Sequence, residues 1–323
     1  MSIFSFTLFI LGFVLLIKGA DWLVQGASII ARQFHVSELV IGLTVVAFGT
    51  STPELFVNIL ASVKGSTGIA VGNVLGSNIA NILLILGISS MIYPLSVSRG
   101  TVWKEIPFSL LAVLVLGLMV NDQLINADHV SVLSRSDGLV LLCFFIIFLY
   151  YSYSIANEIE GMSEQLPDSS RSLKTSVLLV FLGLAGLMAG GKWIVDGAIL
   201  ISKTLDMEES LIGLTIVAVG TSLPELATSA VAAYRRNVEI AVGNVVGSNI
   251  FNIFWVIGVS ASIEPLSFDT AGNRDVMVVI AASLMLFLFM FSGKKQSLDR
   301  WEGFIFVCGY AAYIGYLVFA RNV

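Results

Sequence analysis

A long motif that occurs twice decides the fold of this chain. Residues 41–55 read IGLTVVAFGTSTPEL and residues 212–226 read IGLTIVAVGTSLPEL, an offset of 171 positions that we call the repeat offset. The same offset relates residues 69–82, IAVGNVLGSNIANI, to residues 240–253, IAVGNVVGSNIFNI. From 41 to 96, more than half of all positions are identical to their counterparts in 212–267, without a gap. The chain is therefore built from two related halves.

The composition places both halves in a membrane. Of the 323 residues, 57% are hydrophobic and only 12% are charged, whereas about 25% are charged in an ordinary soluble domain. The mean hydropathy is +0.93, which is more apolar surface than a soluble chain of this length can bury. The net charge of −5 provides no basic surface for a nucleic acid. The sequence predicts a polytopic membrane protein.

Ten stretches are apolar enough to span a bilayer, which takes roughly 20 residues each. Short loops join them, and the longest, residues 154–175, is polar and acidic, as is typical of a flexible linker. We therefore expect a first five-helix repeat at 1–153, this linker, and a second five-helix repeat at 176–323. The predicted spans are 3–31, 38–62, 69–92, 105–120, 138–153, 177–203, 209–233, 240–262, 276–292 and 303–320.

The odd number of spans in each half determines how the halves are oriented. After five spans the second half enters the bilayer from the opposite side. The expected fold is an all-α membrane protein of ten transmembrane helices in two inverted-topology repeats. Secondary transporters of this kind place the substrate site at the repeat interface, near the bilayer midplane.

The basic residues predict the side on which each loop lies. Loops on the side of the central linker hold ten Lys and Arg residues, and the side with both termini holds five. Because basic loops are cytoplasmic, we expect a multi-pass protein of the cell (inner) membrane with a cytoplasmic linker and both termini outside. The two remaining lysines, Lys18 and Lys192, lie within spans, and we expect them to pair with Asp21 and Asp196 on their own helices.

Each copy of the motif places a glutamate near the middle of a span. Glu54 lies in the second span and Glu225 in the seventh. A charged carboxylate at the bilayer centre costs about 3 kcal/mol on insertion scales, and no basic partner is evident. A bound cation would offset this cost. The alternative is that both glutamates are protonated and hydrogen-bonded to Asn or Ser.

A proline next to each glutamate should break its helix. Pro53 has no N–H, so the carbonyl of Gly49 loses its helical partner, and Pro224 has the same effect on Gly220. Helices 2 and 7 are thus expected to be broken, and carbonyls freed inside a membrane can line an ion site. The same stretches supply hydroxyl oxygens from Thr50, Ser51, Thr221 and Ser222.

The third and eighth spans add a second set of oxygens at a spacing of four residues, which places them on one helix face. Asn73 and Asn244 at the start of these faces, with the neighbouring glycines, are explained equally well as packing residues. The candidate ligands are Ser77, Asn81, Ser248 and Asn252. Oxygen-only sites suit Ca²⁺ and Na⁺ and do not suit Zn²⁺ or Cu²⁺. Two carboxylates neutralise one Ca²⁺ or hold two or more Na⁺.

The duplicated motif resembles the two α-repeats of the Ca²⁺/cation antiporter superfamily. The similarity rests on GTSTPE and GTSLPEL, each followed by AVGN-x-x-GSNI-x-NI, and it covers essentially the whole chain. It is closest to the prokaryotic sodium/calcium exchanger type, which includes YrbG-like inner-membrane proteins. The resemblance implies exchange of Na⁺ for Ca²⁺ by alternating access, with four ion sites between the repeats.

The resemblance also implies ligands and a moving part. The first and sixth spans would slide across the core, helped by their small residues Gly12, Gly19, Gly26, Gly183, Gly190 and Gly197. The two alanines in the ligand set would act through backbone carbonyls. The implied metal ligands are Ala47, Thr50, Ser51, Glu54, Ser77, Asn81, Ala218, Thr221, Ser222, Glu225, Ser248 and Asn252.

This chain departs from part of the superfamily at one pair of positions. Some members carry Asp at one of the positions that match Asn81 and Asn252, so the core here has two formal charges instead of three and the Na⁺ stoichiometry stays open. We expect a secondary antiporter rather than an enzyme, with Ca²⁺ and Na⁺ as substrates, no cofactor, and function as a monomer in the lipid bilayer. Exchange of Ca²⁺ or another divalent cation for H⁺ stays open, and a cation channel is less expected.

Overall fold

The computed structural model is a bundle of apolar helices, and it describes residues 3–65, 67–121, 131–158, 172–204, 218–268, 272–293 and 296–321. Most helices are long, and several are interrupted where the duplicated motif lies. The α-helices are α1 Ile3–Gln33, α2 Glu38–Ile41, α3 Ala47–Thr50, α4 Thr52–Val63, α5 Thr67–Ile79, α6 Gly87–Ile92, α7 Ile106–Met119, α8 Arg135–Glu158, α9 Leu173–Thr204, α10 Ala218–Thr221, α11 Leu223–Tyr234, α12 Val238–Ile250, α13 Gly258–Ile263, α14 Asn273–Phe289 and α15 Arg300–Arg321.

In the described part of the chain, four π-helical turns interrupt or extend these helices. Such turns insert an extra residue per turn, and they are frequent at functional sites. The turns are Gly42–Val46 between α2 and α3, Ala80–Leu86 between α5 and α6, Thr101–Glu105 before α7, and Phe251–Ile257 between α12 and α13.

The helices identify a membrane protein. Within the described residues, seven helices are long and apolar enough to cross a membrane, and the bent pair Glu38–Thr50 and Thr52–Val63 makes an eighth if it is one span. These eight coincide with eight of the ten predicted spans. Of the other two, 209–233 is described only from residue 218, and 276–292 corresponds to α14, which is 17 residues long.

The two halves of the chain repeat the same element boundaries. Shifting α4, α5 and α6 by the repeat offset gives the bounds of α11, α12 and α13, and the π-helical turn Ala80–Leu86 gives Phe251–Ile257. The bounds agree because the residues that set them are duplicated. Pro53 and Pro224 occupy the first turn of α4 and α11, where the missing N–H breaks no helical hydrogen bond.

Within the described ranges, two small antiparallel sheets connect the halves. Strand β1 (Leu95–Ser96) pairs with β4 (Ser297–Leu298), and β2 (Ser131–Leu133) pairs with β3 (Leu266–Phe268). The register joins Leu95 to Leu298 and Leu133 to Leu266. Because β1 and β3 are counterparts at the repeat offset, each sheet pairs one of these duplicated segments with the other half of the chain.

Helices α1 and α9 pack against each other along most of their length through glycines. A Cβ at Gly19 would lie 2.8 Å from the Gly183 carbonyl oxygen, and one at Gly190 would lie 2.8 Å from that of Gly12. These contacts are reciprocal, since Gly12 and Gly183 are counterparts, as are Gly19 and Gly190. The predicted small-residue faces therefore lie largely between the two helices, where they join α1 and α9 to each other.

The centre of the bundle is formed by the two spans that contain α5 and α12. The span Val238–Ile263 is buried over almost its whole length. It approaches the first half closely, because a Cβ at Gly247 would lie 2.6 Å from the Leu43 carbonyl oxygen and one at Gly243 would lie 2.8 Å from that of Leu39. The equivalent approach of the first repeat would involve residues 209–217, outside the described part of the chain.

Candidate cation-binding site

The break expected beside each proline is present, and it brings both glutamates to the start of a helix. The helical stretch that ends at Thr50 meets α4 at 45°, with Ser51 between them at φ −80° and ψ 3°. Ser222 adopts the same conformation, φ −87° and ψ 5°, between α10 and α11. Glu54 and Glu225 thus lie in the first turn of α4 and α11, where free backbone N–H groups favour negative charge.

Both carboxyl groups are buried. Glu54 is 0% exposed and Glu225 is 1% exposed. Ser51 Oγ donates a hydrogen bond to Glu225 Oε1 at 3.3 Å. Thr221 and Ser77 lie beside Glu54, yet neither Glu54 oxygen accepts a well-formed hydrogen bond from the described residues. Three of the four carboxylate oxygens, both of Glu54 and Oε2 of Glu225, therefore have no hydrogen-bond donor among the described residues.

Thr50 of the first repeat makes side-chain contacts with two residues of the second repeat. Its hydroxyl donates to Asn244 Oδ1 at 3.0 Å and lies 3.4 Å from Ser248 Oγ. Asn244 in turn donates from Nδ2 to Ser229 Oγ at 3.0 Å. Asn244 is thus committed to joining helices, which agrees with the packing interpretation, while Ser248 faces the hydroxyl of Thr50.

Two asparagines at the π-helical turns direct oxygens inward. Asn81 donates from Nδ2 to Asn249 Oδ1 at 3.0 Å, and Asn252 donates from Nδ2 to Asn78 Oδ1 at 3.0 Å. The Oδ1 atoms of Asn81 and Asn252 are buried and have no hydrogen-bond partner among the described residues. Their acceptor ends are therefore available to a ligand that is not part of the chain.

The predicted ligands share one kind of unpartnered atom. Where a buried side-chain atom of theirs has no hydrogen-bond partner among the described residues, it is an oxygen: both of Glu54, Oε2 of Glu225, the hydroxyls of Ser77 and Ser222, and Oδ1 of Asn81 and Asn252. Buried acceptors without donors cost free energy, and a desolvated cation with oxygen ligands removes that cost. Among the described residues no group of three or more His, Cys, Asp or Glu forms a softer metal site.

Most of the predicted ligands meet at this interface, although they take part to different degrees. Thr50, Ser51, Glu225 and Ser248 form a connected group, and Glu54, Ser77 and Thr221 form its counterpart. The Ala47 carbonyl already accepts from the Ser51 N–H at 2.9 Å and from the Thr50 hydroxyl at 3.3 Å. In the second repeat the Ser222 N–H donates to Val219 at 3.2 Å, one residue after Ala218.

Sequence reasoning missed two residues of this interface, Asn78 and Asn249. Both belong to the GSNI part of the motif, which is identical in the two halves. The four-residue spacing selected Ser77 and Asn81 as one helix face, and Asn78 lies about 100° away from Ser77 around the helix. Their identity in both copies of the motif was the available signal.

The two sides of the site differ in packing. Helix α11 packs on α1, whereas its counterpart α4 has no comparable packing on α9 in the described part of the chain. Accordingly Ala227 on α11 is 9% exposed, and its counterpart Phe56 on α4 is 58% exposed. The closed side carries an ion pair between Asp21 and Arg235, together with a hydrogen bond of 2.7 Å from Asn237 Nδ2 to Ser28 Oγ.

The expected pairing of the in-span lysines with acids on their own helices is wrong. Asp21 pairs with Arg235 and accepts from Gln25 Nε2 at 3.2 Å, because α11 brings a guanidinium to it from another helix. Between described residues, no ion pair links Lys18 to Asp21 or Lys192 to Asp196. Tertiary packing therefore outweighs the weak attraction between neighbours on one helix.

Comparison with known proteins gives a consistent result. The chain matches the family model described as sodium/calcium exchanger protein over residues 4–154 and 175–319. It is 36% identical over 319 residues to the inner membrane protein YrbG of Escherichia coli (strain K12), a match that covers 96% of this chain and 95% of that protein. It is 33% identical over 345 residues to the sodium/calcium exchanger MaX1 of Methanosarcina acetivorans, with 96% and 97% covered.

A solved structure is also similar over nearly the whole chain. The sodium-calcium exchanger NCX_Mj, soaked with 2.5 mM Na⁺ and 10 mM Sr²⁺, matches with a TM-score of 0.84 at 37% identity. The match covers 98% of this chain and 99% of that chain.

Proposed function

The chain belongs to the sodium/calcium exchanger protein family, and we propose that it is an antiporter that exchanges Na⁺ for Ca²⁺ across the cell (inner) membrane. The relatives MaX1 and NCX_Mj carry the name of this activity. The observation that carries the proposal is the cluster of buried carboxylate, amide and hydroxyl oxygens without donors between the two halves. Buried oxygens that lack a donor among the described residues are costly, and a bound cation would offset that cost.

The two carboxylates suit a site that binds either Ca²⁺ or Na⁺ in turn. Their combined charge of −2 is neutralised by one Ca²⁺ or by two Na⁺, and the neutral oxygens complete either shell. An unloaded site leaves two like charges together in a medium of low dielectric constant, which is unfavourable. We propose as ligands Ala47, Thr50, Ser51, Glu54, Ser77, Asn81, Ala218, Thr221, Ser222, Glu225, Ser248 and Asn252.

The proposed architecture is ten spans in two inverted repeats, residues 1–153 and 176–323, joined by a cytoplasmic linker. The agreement of element bounds at the repeat offset supports two equivalent units. The two sheets, each of which pairs β1 or β3 with the other half, support a twofold relation between the units. In this architecture the site lies at the repeat interface, as inverted-repeat transporters require.

Alternating access follows if the packing difference between the two sides is reversed. In this conformation α11 is closed on α1, while α4 stands apart from α9. We propose that α1 and α9, joined by their reciprocal glycine contacts, move as one unit across the core. In the opposite conformation α4 would then close on α9, and α11 would leave α1.

Ca²⁺ flux in proteoliposomes tests this function directly. Radioactive Ca²⁺ uptake is measured under imposed Na⁺, K⁺ or H⁺ gradients, and we expect uptake with the Na⁺ gradient alone. Uptake driven equally by an H⁺ gradient would support proton exchange instead. Non-saturating Ca²⁺ flux without any counter-ion would contradict antiport and indicate a channel.

A further inference from the structure

Two asparagines outside the proposed ligand set contact the amides of two ligands. We propose that Asn78 and Asn249 are positioning residues: each holds the amide of a ligand from the other repeat so that its oxygen faces the cation. Asn249 holds Asn81, and Asn78 holds Asn252. We refer to these as the two amide pairs. The proposal rests on the proposed function, and it explains why Asn81 and Asn252 present their oxygens rather than their NH₂ groups to the cation.

The chemistry of the side-chain amide makes such control necessary. An Asn amide carries a donor end and an acceptor end of nearly equal shape, so a rotation by half a turn replaces an oxygen by an NH₂ group. A cation site needs the oxygen, and a reversed amide would present partial positive charge. The orientation of an amide is set by its hydrogen-bond network.

In each amide pair the ligand is the hydrogen-bond donor and the positioning residue is the acceptor. Asn249 Oδ1 accepts from Asn81 Nδ2 at 3.0 Å, and Asn78 Oδ1 accepts from Asn252 Nδ2 at 3.0 Å. With Nδ2 engaged, the Oδ1 atom of Asn81 or Asn252 must point the other way, where it is buried without a partner among the described residues.

Asn78 is itself fixed in orientation. Its Nδ2 donates to the backbone carbonyl of Asn249 at 3.2 Å, so its Oδ1 is the end that remains for Asn252. Asn249 lies just before the π-helical turn Phe251–Ile257, and Asn78 lies just before the turn Ala80–Leu86. Asn78 is 0% exposed and Asn249 is 2% exposed. Each turn thus begins next to the residue that orients the ligand of the opposite turn.

The two amide pairs are related by the internal repeat. Asn78 and Asn81 are the counterparts of Asn249 and Asn252 at the repeat offset. Each pair crosses the interface, so neither half can orient its own ligand. The Oδ1 atoms of Asn81 and Asn252 are therefore oriented only when the two repeats are assembled.

Equilibrium binding of radioactive Ca²⁺ to the purified protein tests the proposal with a pair-specific pattern. Replacing the acceptor in Asn249→Leu frees the Asn81 amide, and we expect Ca²⁺ to bind about tenfold more weakly, the value of one lost interaction. Asn81→Ala should show a similar loss. The double variant Asn81→Ala/Asn249→Leu should bind like Asn81→Ala alone, because no amide is left to orient.

The crossed combinations serve as matched controls. Asn249→Leu in the Asn252→Ala background should still weaken binding by the full factor, since Asn78 and not Asn249 holds Asn252. Asn78→Leu should show the mirror pattern, non-additive with Asn252→Ala and additive with Asn81→Ala. A merely structural role in packing would be additive in both backgrounds, and that result would overturn the proposal.

A conservative variant separates orientation from folding. Asn249→Asp keeps an acceptor for Asn81 Nδ2, so we expect Ca²⁺ affinity no lower than that of the parent protein, whereas a loss equal to that of Asn249→Leu would contradict the proposal. A parent protein that binds Ca²⁺ but shows no Na⁺-driven uptake overturns the proposed function and leaves the amide pairs to be judged on binding. A parent that binds no Ca²⁺ overturns both.

Discussion

Glu54 and Glu225 are two buried carboxyl groups with hydroxyl-bearing side chains from both halves of the chain beside them. Ser51 donates to Glu225 across the interface, and Thr221 and Ser77 lie beside Glu54. Hydroxyl groups can rotate, so they donate to a carboxylate or offer a lone pair to a cation. In the proposed site, rotation of these hydroxyl groups would let them adapt to the presence or absence of a cation.

Removing either charge should abolish Ca²⁺ exchange while the protein still folds. At about 4 Å and an effective dielectric constant near 20, one unit charge contributes about 4 kcal/mol to binding a monovalent ion, and more to a divalent one. We therefore expect Glu54→Gln and Glu225→Gln to lower Na⁺-driven Ca²⁺ uptake at least about 100-fold.

The control for this prediction is a buried glutamate elsewhere. Glu105 is 2% exposed and accepts a hydrogen bond from Tyr151 at 2.5 Å, outside the candidate site. Glu105→Gln should retain uptake in the same proteoliposomes. Wild-type rates in both site variants would place the ion site elsewhere.

A third negative charge, at position 252, should favour the binding of Ca²⁺ over that of Na⁺. Asn252→Asp adds a carboxylate where a neutral amide oxygen now lies, and its attraction is twice as large for Ca²⁺ as for Na⁺. We expect Ca²⁺ to bind at least about tenfold more tightly, and more Na⁺ to be needed to displace it. Asn252→Ala should instead weaken the binding of both ions. Unchanged Na⁺ competition in both variants would show that position 252 does not face the ions.

At the scale of the elements, the duplicated motif predicted the broken helices and the residues at their ends. Pro53 and Pro224 identified the breaks because a missing N–H has a local consequence. Asn78 and Asn249 were missed because their role depends on how α5 and α12 cross, which helical spacing within one span does not determine. The same limit explains the wrong pairing of Asp21, whose partner comes from the end of α11.

The family resemblance implied a role for the small residues of α1 and α9 in sliding, but it did not identify the helix that they meet. Sliding across the core was implied for both helices, yet the structure places Gly19 against Gly183 and Gly12 against Gly190. A stripe of small residues permits close approach to any helix. Only the assembled bundle identifies which helix it meets.

Neighbouring glycines on α9 offer a test of this crossing. A Cβ at Gly190 would lie 2.7 Å from the Leu16 N atom, whereas one at Gly191 would meet no atom within 4 Å. We expect Gly190→Ala to destabilise the protein by about 1–3 kcal/mol through overpacking, and to slow exchange. Gly191→Ala should behave like the parent. Thermal unfolding in detergent and Ca²⁺ uptake measure the two effects, and equal behaviour of the two variants would contradict a tight crossing.

At the scale of the whole molecule, the proposed inverted arrangement makes a definite statement about sidedness. The loops on the side of the linker hold ten basic residues against five on the other side, which places the linker in the cytoplasm. Cysteines introduced at Ser2 and Ser163, in a background without Cys143 and Cys308, should react with an impermeant thiol reagent from opposite sides. Labelling of both from the same side would exclude this topology.

The internal repeat also predicts which contacts should form when the closed side opens. The counterparts of Asp21 and Arg235 at the repeat offset are Lys192 and Lys64, two cations that cannot pair. The counterpart of Gln25, which donates to Asp21, is Asp196. An acid and a base are thus present on both sides: Lys64 takes the place of Arg235, and the acid Asp196 lies about one helical turn after the counterpart of Asp21. In the opposite conformation, with α4 closed on α9, we expect Lys64 to pair with Asp196.

Removing the Asp21–Arg235 ion pair or the expected Lys64–Asp196 pair should shift the equilibrium between the two proposed conformations in opposite directions. Ala227 is buried and lies on α11, the helix that packs on α1, so a cysteine at this position in the cysteine-free background should report on the closed side. Asp21→Asn removes the partner of Arg235, so it should raise thiol labelling at position 227. Asp196→Asn destabilises the opposite conformation and should lower that labelling. Lys18→Gln, on the same helix as Asp21 but outside the pair, should leave labelling at the parental level. If Asp21→Asn and Asp196→Asn shift the labelling in the same direction, the proposal that one ion pair replaces the other is contradicted. Each pair would stabilise a different conformation, so removing them must have opposite effects.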